Sequence, residues 1–309
     1  MKKVFIDGSV GTTGLRIYER LQSREDIQLL TLPEELRKDV VSRKEMLNSV
    51  DVAFLCLPDE AAREAVTLIE NPNVKVIDAS TAHRTEKNWA YGFAELGKEF
   101  EEKIRTSTRI ANPGCHASGF IALVYPLVEA GILDQESMLT CTSVTGYSGG
   151  GKKMIADYEN PDKDVLLNAP RQYGLTQSHK HLKEMQGICG LNYAPAFSPI
   201  VGDFYSGMTV TVPVFAKMLK KGNADYIQKV YQEKYADDIV KYVPQIDDNG
   251  FVSAHKLKDK DSMRISVCGN AERILLVATY DNLGKGASGS AVECMNLAIG
   301  QPKTKGLVL

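Results

Sequence analysis

Lys3-Val4-Phe5-Ile6-Asp7-Gly8-Ser9-Val10-Gly11-Thr12-Thr13-Gly14 decides the fold, because a strand signal, a glycine turn and a helix signal follow one another around it without a gap. Lys3 to Asp7 is a short β-rich run, the glycines come at once, and Leu15, Ile17, Tyr18 and Leu21 then recur at helical spacing. Glycines in this place let a backbone approach a pyrophosphate, and the following helix start offers amide groups to it. The spacing G-x-x-G-x-x-G is a variant of the usual dinucleotide fingerprint, and an ordinary tight turn between strand and helix would use similar residues. Outward from this stretch, Ile27 to Leu32, Asp51 to Leu57 and Val74 to Ala79 read as apolar strands, with a helix over Asp59 to Glu70. Strands alternating with helices predict an α/β fold with a Rossmann-like, doubly wound parallel sheet.

The second strand bears on the cofactor. It ends Leu30-Thr31-Leu32-Pro33, with Glu34 and Glu35 beyond and Arg37 and Lys38 soon after. An acid at that strand end would hold the ribose 2′-hydroxyl of NAD, whereas a neutral end with nearby base leans towards NADP. A solvated helix face is the better reading of Arg37 or Lys38 taken alone. Asp78-Ala79-Ser80-Thr81-Ala82-His83-Arg84 closes the fourth strand in polar residues, where Arg84 is placed to hold a phosphate or carboxylate.

Bulk properties narrow the class. The chain has 309 residues, suited to two domains, with 43% hydrophobic and 25% charged residues, as in soluble globular proteins. A net charge of −2 without long basic runs argues against nucleic acid or an anionic membrane as partner. The start, Met1 to Asp7, lacks the apolar run of a signal peptide, and no stretch approaches a membrane span. Cys56, Cys115, Cys141, Cys189, Cys268 and Cys294 include no C-x-x-C pair, which reads as reduced thiols in a cytoplasmic protein with no metal site.

The chemistry centres on Arg109-Ile110-Ala111-Asn112-Pro113-Gly114-Cys115-His116, where a short strand from Thr108 to Ala111 gives way to a helix through Phe120 to Val128. A cysteine at a helix start meets amide groups and the positive end of the helix dipole, both of which favour the thiolate, the form that attacks. A small cysteine packed under a turn is the plainer alternative. His116, next to it on a helix, should point about 100° away and so pack rather than act as the base.

After that helix the texture changes. Met138 to Val144, Met208 to Phe215, Met263 to Val267 and Ile274 to Thr279 read as strands, with Asp225 to Tyr235 the clearest helix. This half therefore looks like an α+β domain with a mainly antiparallel sheet. Thr145 to Lys153 looks like a mobile anion-handling loop. Tyr173 to Glu184 carries His179 and His181, without standard zinc spacing, so a proton-transfer partner for Cys115 is the economical reading. The turn Asp281 to Gly289 leads into a helix over Ser290 to Ile299, which should return to the first domain. The expected division is 1–114 with 286–309 as the NADP-binding domain, and 115–285 as the catalytic, substrate and oligomerisation domain.

Asn112-Pro113-Gly114-Cys115, Gly8-x-x-Gly11-x-x-Gly14, His179-x-His181 and Asp281-Asn282-Leu283-x-Lys285-Gly286-Ala287 together resemble the N-acetyl-gamma-glutamyl-phosphate reductases of arginine biosynthesis, from end to end. Length and the Ser80-Thr81-Ala82-His83-Arg84 wording resemble the shorter branch of that family. The more common branch has an aromatic residue where this chain has His116, and Pro-His and Arg-Gly where it reads Pro195-Ala196 and Ser206-Gly207. The resemblance implies a phosphorylating semialdehyde dehydrogenase in which Cys115 attacks the acyl phosphate, forming a thioester that NADPH reduces. It implies His179, then His181, as acid–base candidates, and Gly8, Ser9, Gly11, Thr12, Thr13, Gly14, Ser80, Asn282, Lys285 and Gly286 as cofactor contacts. Arg84, Arg109, Asn112, Gly149 and Lys152 are the candidates for substrate and phosphate. A homodimer or homotetramer acting on a small acyl phosphate or semialdehyde is implied as well. Aspartate-semialdehyde dehydrogenase shares this chemistry but has Asn-Cys rather than Pro-Gly-Cys. A reductase of carrier-bound aminoadipyl phosphate would want a basic docking surface. A non-catalytic NADP-binding regulator would have no use for Cys115 and His179, and a cysteine hydrolase none for the glycine turn.

Overall fold

The computed structural model describes residues 1–309, and the chain forms two compact units. The first comprises Met1–Ala94, Lys98–Pro113 and Ala287–Leu307, and the second Glu95–Gly97, Gly114–Gly286 and Val308–Leu309.

In the first unit the elements run β1 (Lys2–Asp7), α1 (Thr12–Leu21), β2 (Ile27–Leu30), α2 (Val40–Ser49), β3 (Val52–Leu55), α3 (Asp59–Thr67), β4 (Lys75–Asp78), β5 (Ala90–Tyr91), α4 (Lys98–Thr106) and β6 (Arg109–Ala111). A closing helix, Gly289–Ala298, completes the unit. The six strands form one sheet in the order β2-β1-β3-β4-β6-β5, with every pair parallel. Both faces are buried, as a parallel sheet requires. Val4, Ile6, Val52 and Phe54 face a core that takes Val292 and Met295 from the closing helix, while Phe5, Ala53 and Leu55 face Leu47 and Ala65. The strands are shorter than the apolar runs suggest. β2 stops at Leu30 because Pro33, which has no amide proton, leads the chain away from the ladder.

The strand order reverses at β1, whose neighbours β2 and β3 lie on opposite sides; such a switch point opens a crevice at the carboxyl ends of the strands. The glycine turn sits there. Gly8 has φ +88°, and a Cβ would stand 2.3 Å from the Cys56 carbonyl oxygen. At Gly14 a Cβ would stand 2.4 Å from the Gly8 carbonyl. Under the turn, Asp7 at the end of β1 accepts hydrogen bonds from Arg43 Nε at 3.1 Å and Nη2 at 2.9 Å, both residues being buried. Burial pushes the Asp7 carboxyl up, against the opposing pull of the guanidinium.

The second unit runs α5 (Cys115–Glu129), β7 (Thr140–Gly146), α6 (Gly151–Glu159), β8 (Arg171–Gln172), α7 (His181–Cys189), β9 (Ala196–Gly202), β10 (Met208–Phe215), α8 (Ala224–Lys234), β11 (Val240–Tyr242), β12 (Met263–Gly269) and β13 (Arg273–Tyr280). Its sheet order is β11-β12-β13-β10-β7-β9-β8. Four of the pairings are antiparallel, while β7 with β9 and β11 with β12 are parallel. β10 alternates strictly, with Met208, Val210, Val212 and Val214 buried and Phe215 58% exposed at the end of the other face. The segment read as a loop over Thr145 to Lys153 is instead the end of β7, a 3-10 turn (Tyr147–Gly150) and the first turn of α6. All six cysteines are free thiols, and no helix is long and apolar enough to cross a membrane.

Gly8→Ala would add strained positive φ to a carbonyl clash, so we expect it to cost at least about 2 kcal/mol and to abolish dinucleotide binding. Urea unfolding and NADPH fluorescence titration check both.

Candidate active site

Cys115 is the first residue of α5. Its N-cap is Gly114, which offers no side chain to the helix amides, so the amino end keeps its affinity for negative charge. Three partners fix this turn within the second unit. Glu184, buried in the first turn of α7, accepts a hydrogen bond from the Gly114 amide at 2.8 Å. The Tyr280 hydroxyl donates to the Cys115 carbonyl at 2.5 Å and accepts from the Gly119 amide at 3.0 Å. A Cβ at Gly286 would stand 3.1 Å from Cys115 Cβ, so the glycine makes room for the cysteine side chain.

Around His116, the residue that follows Cys115, the second unit gathers Ser143, Tyr173, His179, His181 and Phe197. The His179 and His181 rings are 4.8 Å apart, and each lies 5.6 Å from His116. His179 Nδ1 accepts a hydrogen bond from the His181 amide at 3.2 Å, which places the proton of the neutral ring on Nε2. His116 is buried between Ser143 Oγ and the Tyr173 hydroxyl, each at 2.7 Å. Burial, and then the charge of His179, push its pKa down to about 3. Burial and then the Cys115 charge push the Tyr173 phenol up.

In the first unit, the carboxyl ends of β4 and β6 carry a second polar cluster. Asp78 accepts from the Ser80 amide and hydroxyl at 2.9 and 2.7 Å and meets His83 Nδ1 at 2.6 Å. The His83 ring stacks on Trp89 at 4.1 Å. Arg84 donates from Nε to the Asn112 carbonyl and from Nη2 to the Ala79 carbonyl. Beside the glycine turn lies a cavity of about 470 Å³ lined by Gly8, Ser9, Leu32, Arg37, Lys38 and Leu57 among others. Unlike Gly8 and Gly14, Gly11 has room for a Cβ, its closest contact being 3.4 Å. Ser9, Thr12 and Thr13 are half-buried along the same turn. An open glycine backbone at a helix start fits the phosphates of a dinucleotide, and the cavity beside it, lined by apolar residues with Glu34, Glu35, Arg37 and Lys38, fits an adenosine.

Several residues expected at the site do other work. Arg109 turns its guanidinium to the Val74 and Thr108 carbonyls at the amino end of β6, the end of the sheet remote from the glycine turn. Lys285 is 2% exposed and forms an ion pair with Glu95 at 2.8 Å, so its charge is already matched by protein. Asn282 accepts from the Gly207 amide and donates to Ser148 Oγ, bracing the turn that holds Gly149. Asn112 donates to the Ala287 carbonyl and accepts from Ser290 Oγ, fastening the end of β6 to the chain entering the closing helix. Lys152 is exposed in the first turn of α6. Tyr173, Ser143 and Glu184 were not singled out from sequence; the alternation of Ser143 with the apolar residues of β7 gives no hint of a partner 27 residues away.

A parallel dinucleotide-type unit joined to a mixed-sheet unit that presents a cysteine at a helix start defines the semialdehyde dehydrogenase class. Residues 3–105 match the semialdehyde dehydrogenase NAD binding domain, and residues 115–282 match the semialdehyde dehydrogenase dimerisation domain. The N-acetyl-gamma-glutamyl-phosphate reductase of Rhizobium etli is 47% identical over 305 residues, covering 96% of this chain and 98% of that protein. N-acetyl-gamma-glutamyl-phosphate reductase 2 of Nostoc sp. is 43% identical over 318 residues, covering 99% of each. The chain belongs to the N-acetyl-gamma-glutamyl-phosphate reductase family. Among solved structures, aspartate semialdehyde dehydrogenase II from Vibrio cholerae, complexed with ASA, shares the fold at TM-score 0.74 and 18% identity, over 97% of this chain and 98% of that one.

Because His116 takes its proton near 3 in the folded protein and near 6.5 otherwise, the unfolded chain binds more protons between those values. Its contribution to stability is complete above pH 6.5 and falls as pH drops towards 3, by up to about 1.4 kcal/mol per unit. Urea unfolding at pH 7, 6 and 5 should show this slope, flattened in His116→Phe; an unchanged slope would place the proton uptake elsewhere.

Proposed function

We propose that the protein reduces N-acetyl-L-glutamyl 5-phosphate to N-acetyl-L-glutamate 5-semialdehyde, releasing phosphate, with NADPH as the reductant. The observation that carries this reading is Cys115 as the first residue of an uncapped helix beside an imidazole cluster, in a chain 47% identical to a reductase named for that reaction. Cys115 attacks the acyl carbonyl carbon and phosphate leaves with the bonding pair, giving a thioester. NADPH supplies a hydride to that carbonyl carbon. The hemithioacetal then collapses, the C–S bond breaks, and the aldehyde departs as Cys115 recovers its thiolate.

The chain's own groups meet each charge as it forms. The α5 amino end favours negative charge at Cys115 and at the oxyanion. With its proton on Nε2, His179 serves as a donor to the oxyanion, and the thiol proton goes to His181, since His116 is too weakly basic. The aspartate-semialdehyde alternative draws on the shared fold alone.

NADP over NAD is supported by Arg37 and Lys38, which line the cavity beside the glycine turn together with Glu34 and Glu35 and could meet a 2′-phosphate there. The protein works as a homo-oligomer in the cytoplasm. The side of β10 and β13 that exposes Phe215 and Leu275 is the surface we assign to contact with a second copy.

Run in reverse with N-acetyl-glutamate semialdehyde, NADP and phosphate, the protein should form NADPH at 340 nm. Cys115→Ser should be inactive, and His179→Ala and His181→Ala should be slower by about 10²–10⁴-fold. Activity only with aspartate semialdehyde would move the assignment to the alternative.

Replacing both Arg37 and Lys38 by Ala should weaken NADP binding about tenfold or more while leaving NAD binding unchanged. Equal weakening of both would remove the case for the 2′-phosphate contact.

A further inference from the structure

His116 has no part in the steps above, yet the second unit holds it on every side. Nδ1 is 2.7 Å from Ser143 Oγ and Nε2 is 2.7 Å from the Tyr173 hydroxyl. Phe197 packs edge-on at 5.3 Å and His179 at 5.6 Å, so the ring has no room to turn away. Ser143 is fully buried. Since His116 stays neutral down to a pH of about 3, one ring proton serves two hydroxyl contacts, and only two arrangements satisfy both. In the first, Ser143 donates to Nδ1, Nε2–H donates to the phenol oxygen, and the phenol proton is left to point onward. In the second the chain runs the other way, and Tyr173 donates its proton to Nε2. The Tyr173 phenol keeps its proton at neutral pH and lies within the field of Cys115. Negative charge at Cys115 favours the first arrangement, because that one alone leaves the phenol proton free of His116 and able to meet it.

We infer that His116 is a positioning residue: set by Ser143, its Nε2–H holds the Tyr173 hydroxyl as a hydrogen-bond donor to the negative atom at Cys115. The negative atom is the Cys115 sulfur before attack and, once the C–S bond has formed, the acyl oxygen bound beside it, and the phenol keeps its proton throughout. The inference rests on Cys115 being the nucleophile, as proposed above.

Tyr173→Phe removes the donor and His116→Phe removes what orients it. Each should lower kcat about tenfold to a hundredfold, with KM within about threefold. Because His116 acts through Tyr173, the double variant should be no slower than Tyr173→Phe alone. Both single variants should raise the midpoint of the pH profile for alkylation of Cys115 by iodoacetamide, followed on the Cys115 peptide, and by the same amount. His116→Gln, with an amide that reaches the phenol, should recover most of the activity lost in His116→Phe. Multiplicative losses in the double variant, or wild-type kcat in His116→Phe, would overturn the inference. If His116→Phe does not fold, Ser143→Ala with Tyr173→Phe closes the same cycle from the other end, and additive losses there overturn it equally. Cys115→Ser separates the two readings. Activity surviving in it removes the nucleophile assignment, whereas an inactive Cys115→Ser beside additive losses removes the His116 inference alone.

Discussion

The hydrogen bond from the Gly114 amide to the Glu184 carboxylate is the contact on which the reactive end of the second unit depends. A helix that starts on glycine has no side chain of its own to define where its first turn begins. The carboxylate supplies that definition from α7, 70 residues on in the sequence. The Tyr280 hydroxyl supplies a second from β13, gripping the carbonyl of residue 115 and the amide of residue 119 together. Close packing adds a third: a Cβ at Gly119 would stand 2.6 Å from both the Tyr280 hydroxyl and a Val210 methyl, so α5 sits tightly on the sheet. Held by Glu184, by Tyr280 and by close packing against Val210, the start of α5 is placed by the unit's core.

The first unit solves a parallel problem by similar means. Its glycine turn is set by the Cys56 carbonyl just past β3, against which Gly8 packs, and by the buried Asp7–Arg43 pair beneath. Such a pair adds little net stability, because desolvating both groups offsets much of their attraction. What it fixes is direction, through a guanidinium that binds one carboxylate oxygen by two donors. In both units the chain just before a helix start is held by a buried ionisable side chain from another helix.

Local chemistry was legible in the sequence, and distant pairing was not. β1, the glycine turn and α1 are visible because alternation, turn residues and helical spacing all fall within twenty residues. β10 is visible because its inward residues repeat at period two. α2 is silent because it buries only Arg43 and Leu47, and α4 because it buries only Ile104, so neither carries an apolar stripe. α6 begins with glycine and two lysines and reads as loop until the turn before it is seen. At the site, Cys115 announces itself through the residues around it. Arg109 and Lys285 carry the right charge for phosphate, but the Val74 and Thr108 carbonyls in one case and Glu95 in the other take it up, and Val74 and Glu95 lie too far off in sequence to leave a local trace. Tyr173 and Ser143 are ordinary residues in sequence, and only the fold brings them to either side of His116.

The closing helix has a consequence for how the chain comes off the ribosome. Its residues Val292 and Met295 belong to the core that contains Val4, Ile6 and Phe54. The unit begun first therefore lacks part of its interior until nearly the whole chain has been made, while all seven strands of the second unit are already synthesised by Tyr280. Domains as a rule fold in the order they emerge. Here the emerging amino-terminal segment, with one face of its sheet covered only in part by α1 and α4, has to wait until the closing helix has been made. Its exposure to chaperones and to misassembly is set by the time taken to translate the intervening residues.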